Sequence, residues 1–224
     1  MTQENKHIWY ASYGSNLWEE RFLCYIRGGQ PEGAAKSYPG CTDKTLPVDK
    51  EEIYICSEMY FAKSSGNWEN GGVAFIKTNF DKQQQTLGRM YLITKEQFID
   101  VVKQETDFKG ELKIDFDRAI SDGSLVFREG SWYGNIIFLG NQYNHPIFTF
   151  THQDNISQTT KPSKKYLRTI IKGIHETYDH LNTAEIVDYL ISKQGVVDNY
   201  SIEDLEKLIE SENQLQNDKS IDKY

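Results

Sequence analysis

The sequence predicts an α+β fold: a mixed, curled sheet or small β-barrel of about six strands flanked by helices, with further helices toward the C-terminal end. Three observations point there. At least six short runs rich in β-branched and aromatic residues are separated by Gly and Asn turns. Single helical stretches interrupt them without regular β-α-β alternation. After about residue 162 the pattern changes to capped amphipathic helices. The 224 residues suit one full-sized domain with an extension. We assign residues 1–178 to the domain and 179–210 to a helical extension packed on it. Residues 211–224 read as a polar tail too poor in apolar surface to order itself.

Composition narrows the function classes. The chain is 38% hydrophobic and 26% charged, ordinary for a globular protein, but its 14 Tyr, 11 Phe and 4 Trp favour aromatic pockets and β structure. A formal net charge of −8 argues against nucleic acid as a partner, because neutralising phosphates needs a basic face. Cys24, Cys41 and Cys56 are widely spaced, with no CxxC and no histidine group to complete a zinc site, so they read as free thiols in a reducing compartment. The first six residues are polar, and no run of about eighteen apolar residues occurs, which predicts a cytoplasmic protein without a membrane partner. Monomer and homodimer both remain open.

The first strand, ending Trp9-Tyr10-Ala11-Ser12, runs into Tyr13-Gly14-Ser15-Asn16-Leu17. Trp18, Phe22, Tyr25 and Ile26 then follow at i, i+4, i+7 and i+8, one helical face, and Asn16 with Glu19 reads as a capping pair. A helix starting at the loop would leave the amides of residues 14–17 without intrahelical partners, a ready anion site. Residues 27–50 are rich in Gly, Pro, Lys and Asp and read as a long loop, either a lid over a site or a surface insertion. Residues 53–56, 59–62, 71–76 and 87–93 read as strands, with a turn at 64–67. Gly71, Gly72 and Gly88 mark close approach, by a ligand or by another strand.

Thr94-Lys95-Glu96-Gln97 is a capping box opening a helix to about residue 106, with Phe98, Val101 and Val102 on its apolar face. Glu105 lies seven residues after Phe98 and four after Val101, so a carboxylate falls on the core-facing side. Two readings fit: a general base in an apolar setting, or the point where the stripe meets solvent. Residues 124–127, 132–139 and 146–150 complete the strands. Ser163 caps a helix bearing Leu167, Ile170, Ile171 and Ile174, with Tyr166 one position to the side. Asn182 with Glu185, and Ser201 with Asp204, open two more. There is no P-loop, GxSxG, HExxH or GxGxxG, and no His pair at ligand spacing on a predicted helix, so many common chemistries drop out.

Tyr13-Gly14-Ser15-Asn16-Leu17 after an aromatic strand resembles the signature of the γ-glutamylcyclotransferase-like proteins. Gly71-Gly72-Val73-Ala74-Phe75, Leu87-Gly88-Arg89-Met90-Tyr91 leading to a helix that ends Gln104-Glu105, and Pro162-Ser163-Lys164-Lys165-Tyr166 fall in that family's order. The resemblance covers roughly residues 7–178 and is that of a bacterial member with a helical C-terminal extension. It implies a cofactor-free enzyme that cyclises a γ-glutamyl amino acid, peptide or amine to 5-oxoproline and releases the amine. Glu105 would be the acid/base, Tyr13, Gly14, Ser15, Asn16 and Leu17 the carboxylate clamp, and Tyr133 and Tyr166 the pocket aromatics, with Trp132 the alternative to Tyr133. Two departures leave substrate size open: residues 27–50 are longer than in small members, and no glycine follows Glu105. The competing reading is a non-catalytic small-carboxylate binding or sensor protein using the same pocket. A hydrolase with a cysteine nucleophile is a third, disfavoured because no histidine is placed to activate one.

Overall fold

A computed structural model describes residues 6–32, 34 and 36–221, with side chains at 213 and 215–221 left aside. Most of the polar amino terminus, residues 1–5, and the last three residues of the predicted tail lie outside the described residues. The strands are β1 (His7–Ser12), β2 (Asp49–Ile55), β3 (Met59–Ser65), β4 (Gly71–Ile76), β5 (Thr86–Thr94), β6 (Ser124–Val126), β7 (Asn135–Gln142) and β8 (His145–Thr151). The helices are α1 (Glu19–Arg27), α2 (Lys95–Glu105), α3 (Phe116–Asp122), α4 (Lys164–Thr177), α5 (Thr183–Ile191) and α6 (Ile202–Ile221). None is long and apolar enough to cross a membrane.

Six strands form one mixed sheet in the order β2-β5-β1-β8-β7-β6, with β1 and β8 parallel and the other neighbours antiparallel. The fold class is the one the sequence predicts. Of the two forms it allowed, the open sheet is realised, since the edge strands β2 and β6 do not pair with each other. β3 and β4 form a separate hairpin, closed over residues 66–70, two residues later than the turn expected at 64–67, because Ser64 and Ser65 still belong to β3.

β1 sits at the centre, and its alternation feeds two cores. Trp9 and Ala11 join α4, α5, α6 and the hairpin on one face, while Ile8 and Tyr10 join α1, α2 and α3 on the other. Both faces being covered, the strand reads as a continuous apolar run with five of six residues buried. The anticipated caps close their helices: Thr94 with Gln97 on α2, Ser163 on α4, and Asn182 with Glu185 on α5. Helix α3, not anticipated, is capped by the Asp115 carboxylate, which accepts from the Arg118 amide.

The glycines of β4 and β5 admit backbone rather than ligand. A Cβ on Gly72 would lie 2.3 Å from the Thr160 carbonyl oxygen, and its own amide donates to Lys161 O at 2.8 Å, so the 153–162 connection lies directly on the hairpin. Gly88 is closed in by Ile53 and Ser12 on the flanking strands. At Gly173 a Cβ would stand 2.3 Å from Leu17 Cβ, which lets α4 press against the loop after β1.

The first helix begins later than the capping pattern suggested. Residues Ser15–Leu17 form a 3₁₀ turn, Trp18 occupies the N-cap of α1 without a side-chain bond, and Asn16 caps nothing. Its side chain is drawn instead to groups far along the chain. At the other end, α6 continues to Ile221 through residues expected to be an unordered tail. Glu212 is buried there between Arg168 Nε and Lys172 Nζ of α4, each 3.7 Å away, so a charged stripe anchors what apolar surface could not.

Candidate active site

The loop after β1 is held from below by its carbonyls. Tyr91 Oη donates to Asn16 O at 2.9 Å, and Arg89 Nη1 to Leu17 O at 3.3 Å. Arg89 is itself buried and pairs with Glu19 at 3.0 Å and Glu176 at 2.9 Å, tying α1, β5 and α4 together beneath the loop. With the carbonyls thus occupied, the upper edge of the turn faces a cavity of about 150 Å³, suited to one small group rather than a large ligand.

Tyr13, Gly14, Ser15, Asn16, Glu105, Tyr133 and Tyr166 all line this cavity, although they come from β1's end, α2, the approach to β7, and α4. Leu17 does not line it. It is fully buried against Gly173, and its amide donates to Gly14 O at 3.0 Å to close the 3₁₀ turn, so it cannot serve a ligand. Of the five loop residues expected at the site, four therefore line the cavity. Trp132 lines the cavity as well as Tyr133, so both alternatives contribute a wall.

Glu105 ends α2 half-buried, and the setting is more polar than the apolar stripe implied. Asn16 Nδ2 donates to its Oε1 at 2.9 Å and lies 3.3 Å from Tyr10 Oη. Ala74 fixes two of the aromatics: Tyr133 Oη donates to its carbonyl at 3.1 Å, and its amide donates to Tyr166 Oη at 3.1 Å. Because Tyr166 accepts there, its own proton is available for another partner. Burial pushes the Tyr133 phenol well up and that of Tyr166 to about 12, so both are neutral donors at ordinary pH. Tyr13 Oη is already committed to Phe150 O at 2.8 Å and acts as a wall.

Sequence reasoning missed Arg21, Tyr25, Tyr38 and Trp68, which close the other side. For Arg21 a signal existed: it lies three residues after Trp18 and four before Tyr25, the same core-facing spacing that singled out Glu105. Tyr38 belongs to the long loop, which is anchored rather than loose. Cys41 N donates to Ile26 O at 2.9 Å and Thr42 N to Asp100 Oδ2 at 2.8 Å. A second cleft of about 330 Å³ adjoins Glu105 between Arg128 and Trp132. The three thiols are free and none lines the cavity.

No protein-family profile matches the chain. Over 189 residues it is 37% identical to a protein named histone deacetylase 5 from Arabidopsis thaliana, a match covering 75% of this chain and 28% of that protein. The chain thus spans less than a third of the length of the curated relative it matches, and the deacetylase name describes that longer protein. Among solved structures, one named gamma-glutamyl cyclotransferase is similar with 16% identity and a TM-score of 0.48, covering 90% of this chain and 99% of that one. A glutathione-specific gamma-glutamyl cyclotransferase from yeast has 11% identity and a TM-score of 0.38, covering 93% and 97%.

Proposed function

We propose that this chain is a γ-glutamylcyclotransferase-like enzyme that closes the γ-glutamyl group of an amino acid, peptide or amine to 5-oxoproline and releases the amine. The observation that carries this reading is the 2.9 Å bond from Asn16 to Glu105, which sets a carboxylate beside the loop after β1 in a cavity of about 150 Å³. The site residues and the reaction come from the resemblance of Tyr13-Gly14-Ser15-Asn16 and its companion motifs to that family, and the geometry suits them.

The chemistry needs only folding of the substrate and movement of two protons from the α-nitrogen to the leaving nitrogen. Glu105 takes a proton from the α-ammonium, and the freed amine attacks the γ-carbonyl carbon, forming the ring C–N bond. The ring nitrogen gives up a second proton as the tetrahedral intermediate forms, and the amide bond to the partner nitrogen breaks as that nitrogen takes up both protons, one of them returned by Glu105, and leaves as the ammonium. Holding amine and carbonyl in attack geometry is worth up to about 7–11 kcal/mol in favourable intramolecular cases. Amides of the loop meet the substrate carboxylate or the developing oxyanion, and the leaving amine has room in the cleft beyond Glu105.

The deciding experiment screens γ-glutamyl dipeptides, γ-glutamyl amines and glutathione for 5-oxoproline release, with Glu105→Gln alongside. Loss of general acid–base catalysis predicts a drop of about 10²–10⁴-fold in the variant. Absence of turnover on every substrate, or a variant equal to wild type, overturns the reading.

A further inference from the structure

Arg21 is a buried charge whose function the fold does not explain. The residue is 6% exposed, and its guanidinium stands 4.8 Å over the Trp68 ring and lies beside Tyr25 and Tyr38. One amino group, Nη2, donates to Tyr38 Oη at 2.9 Å, whereas the buried Nε has no partner among the described residues. No carboxylate of the described residues lies within ion-pair distance of it. An arginine buried without a counterion is costly, and an unmet N–H adds to that cost. Burial acts to lower its basicity, but Tyr25, Tyr38 and Glu105 together more than reverse this, so the group stays charged.

The cavity wall carries complementary vacancies. Asn16 Oδ1 and Ser12 Oγ are buried acceptors without a donor, and both residues line the cavity with the Glu105 carboxylate. Unmet acceptors beside a carboxylate match an ammonium, and an unmet guanidinium N–H matches a carboxylate. An α-amino acid head group offers both charges on neighbouring atoms.

We propose that Arg21 binds the α-carboxylate of the glutamyl group while Asn16 Oδ1 and Glu105 receive its ammonium, so that the site selects substrates with a free α-carboxylate. This rests on the γ-glutamyl reading above. The loop amides then supply direction and Arg21 the charge, and γ-glutamyl compounds amidated at the α-carboxylate are excluded.

The test measures calorimetric binding of L-5-oxoproline and of L-5-oxoproline amide to wild type, Arg21→Gln, Arg21→Lys and Glu105→Gln, each checked for folding by circular dichroism. The expected result is about a tenfold or greater preference for the carboxylate in wild type. That preference should survive in Glu105→Gln, shrink in Arg21→Lys and vanish in Arg21→Gln. If Arg21→Gln does not fold, the Arg21→Lys comparison decides, since lysine keeps the charge but loses the fork. A folded arginine variant that keeps the full preference, or a wild type without one, overturns the role of Arg21 and leaves the cyclotransferase reading standing if 5-oxoproline is released in the screen. Failure of both ligands to bind overturns the role of Arg21 as well. If the screen also shows no release, both readings fall.

Discussion

Asn16 Nδ2 donates to Glu105 Oε1 across 2.9 Å, joining residues 89 positions apart. The bond makes the loop after β1 and the end of α2 one unit, because the Asn16 carbonyl is held in turn by Tyr91 from β5. Asn16→Ala should therefore free the Glu105 carboxylate to rotate. We expect 5-oxoproline release to fall by about 10–100-fold, the scale lost when a supporting partner of a reactive group is removed. Stability should fall by about 1–3 kcal/mol, since Glu105 and Tyr10 both lose the buried Asn16 Nδ2 donor. A variant with full kcat/KM would separate the loop from the chemistry.

Gly173 is where α4 meets the loop. Alanine there would place a Cβ 2.3 Å from Leu17 Cβ and 2.5 Å from Trp18 N, and neither the buried leucine nor the backbone can yield cheaply. Overpacking of this kind costs about 1–3 kcal/mol. Gly173→Ala should lower the melting temperature and, by lifting the loop, also raise KM.

Lys193 is 6% exposed, and burial pulls its ammonium from 10.5 down to about 8, with Glu58 opposing. Below pH 8 both folded and unfolded chains hold the proton and the burial cost is fully present. Between about 8 and 10.5 the folded chain releases the proton that the unfolded one keeps, so this group's contribution to stability rises with pH. Lys193→Met should thus stabilise the protein by about 1–3 kcal/mol at pH 7, less the Lys193 stacking on Tyr189 at 4.2 Å. The advantage should shrink toward pH 10. Denaturant melts of both proteins at the two pH values check this, and a constant difference would contradict it.

The thiols differ in exposure: Cys56 is exposed, Cys24 intermediate and Cys41 buried, with burial pushing Cys41 up to about 12. A thiol reagent should label Cys56 first and Cys41 only on unfolding. Activity should survive labelling of Cys56, because the thiol is outside the cavity. Loss of turnover on that first modification would revive a cysteine mechanism.

What was legible in the chain was most of what local period and capping control, the Asp115 cap of α3 excepted. The alternation of β1, the capping boxes of α2 and α5, the Ser163 cap of α4 and the position of Glu105 on a core-facing stripe all follow from residues within a turn or two of each other. The extent of the tail was not, since α6 is carried past residue 210 by Glu212 meeting Arg168 and Lys172, contacts between residues forty or more positions apart. Nor was the true role of Asn16, whose side chain reads as a helix cap until Glu105 is brought beside it.

The sequence by itself determined the fold class, most of the elements and seven of the residues around the cavity. Tertiary structure alone decided which of them face it: Leu17 is turned away by the 3₁₀ bond to Gly14 and the pressure of α4, while Arg21 is turned in. The physical reason is that caps and stripes are set by neighbours along the chain. The direction of a buried polar side chain is set by whichever partner across space can satisfy it, and those partners lie on other elements.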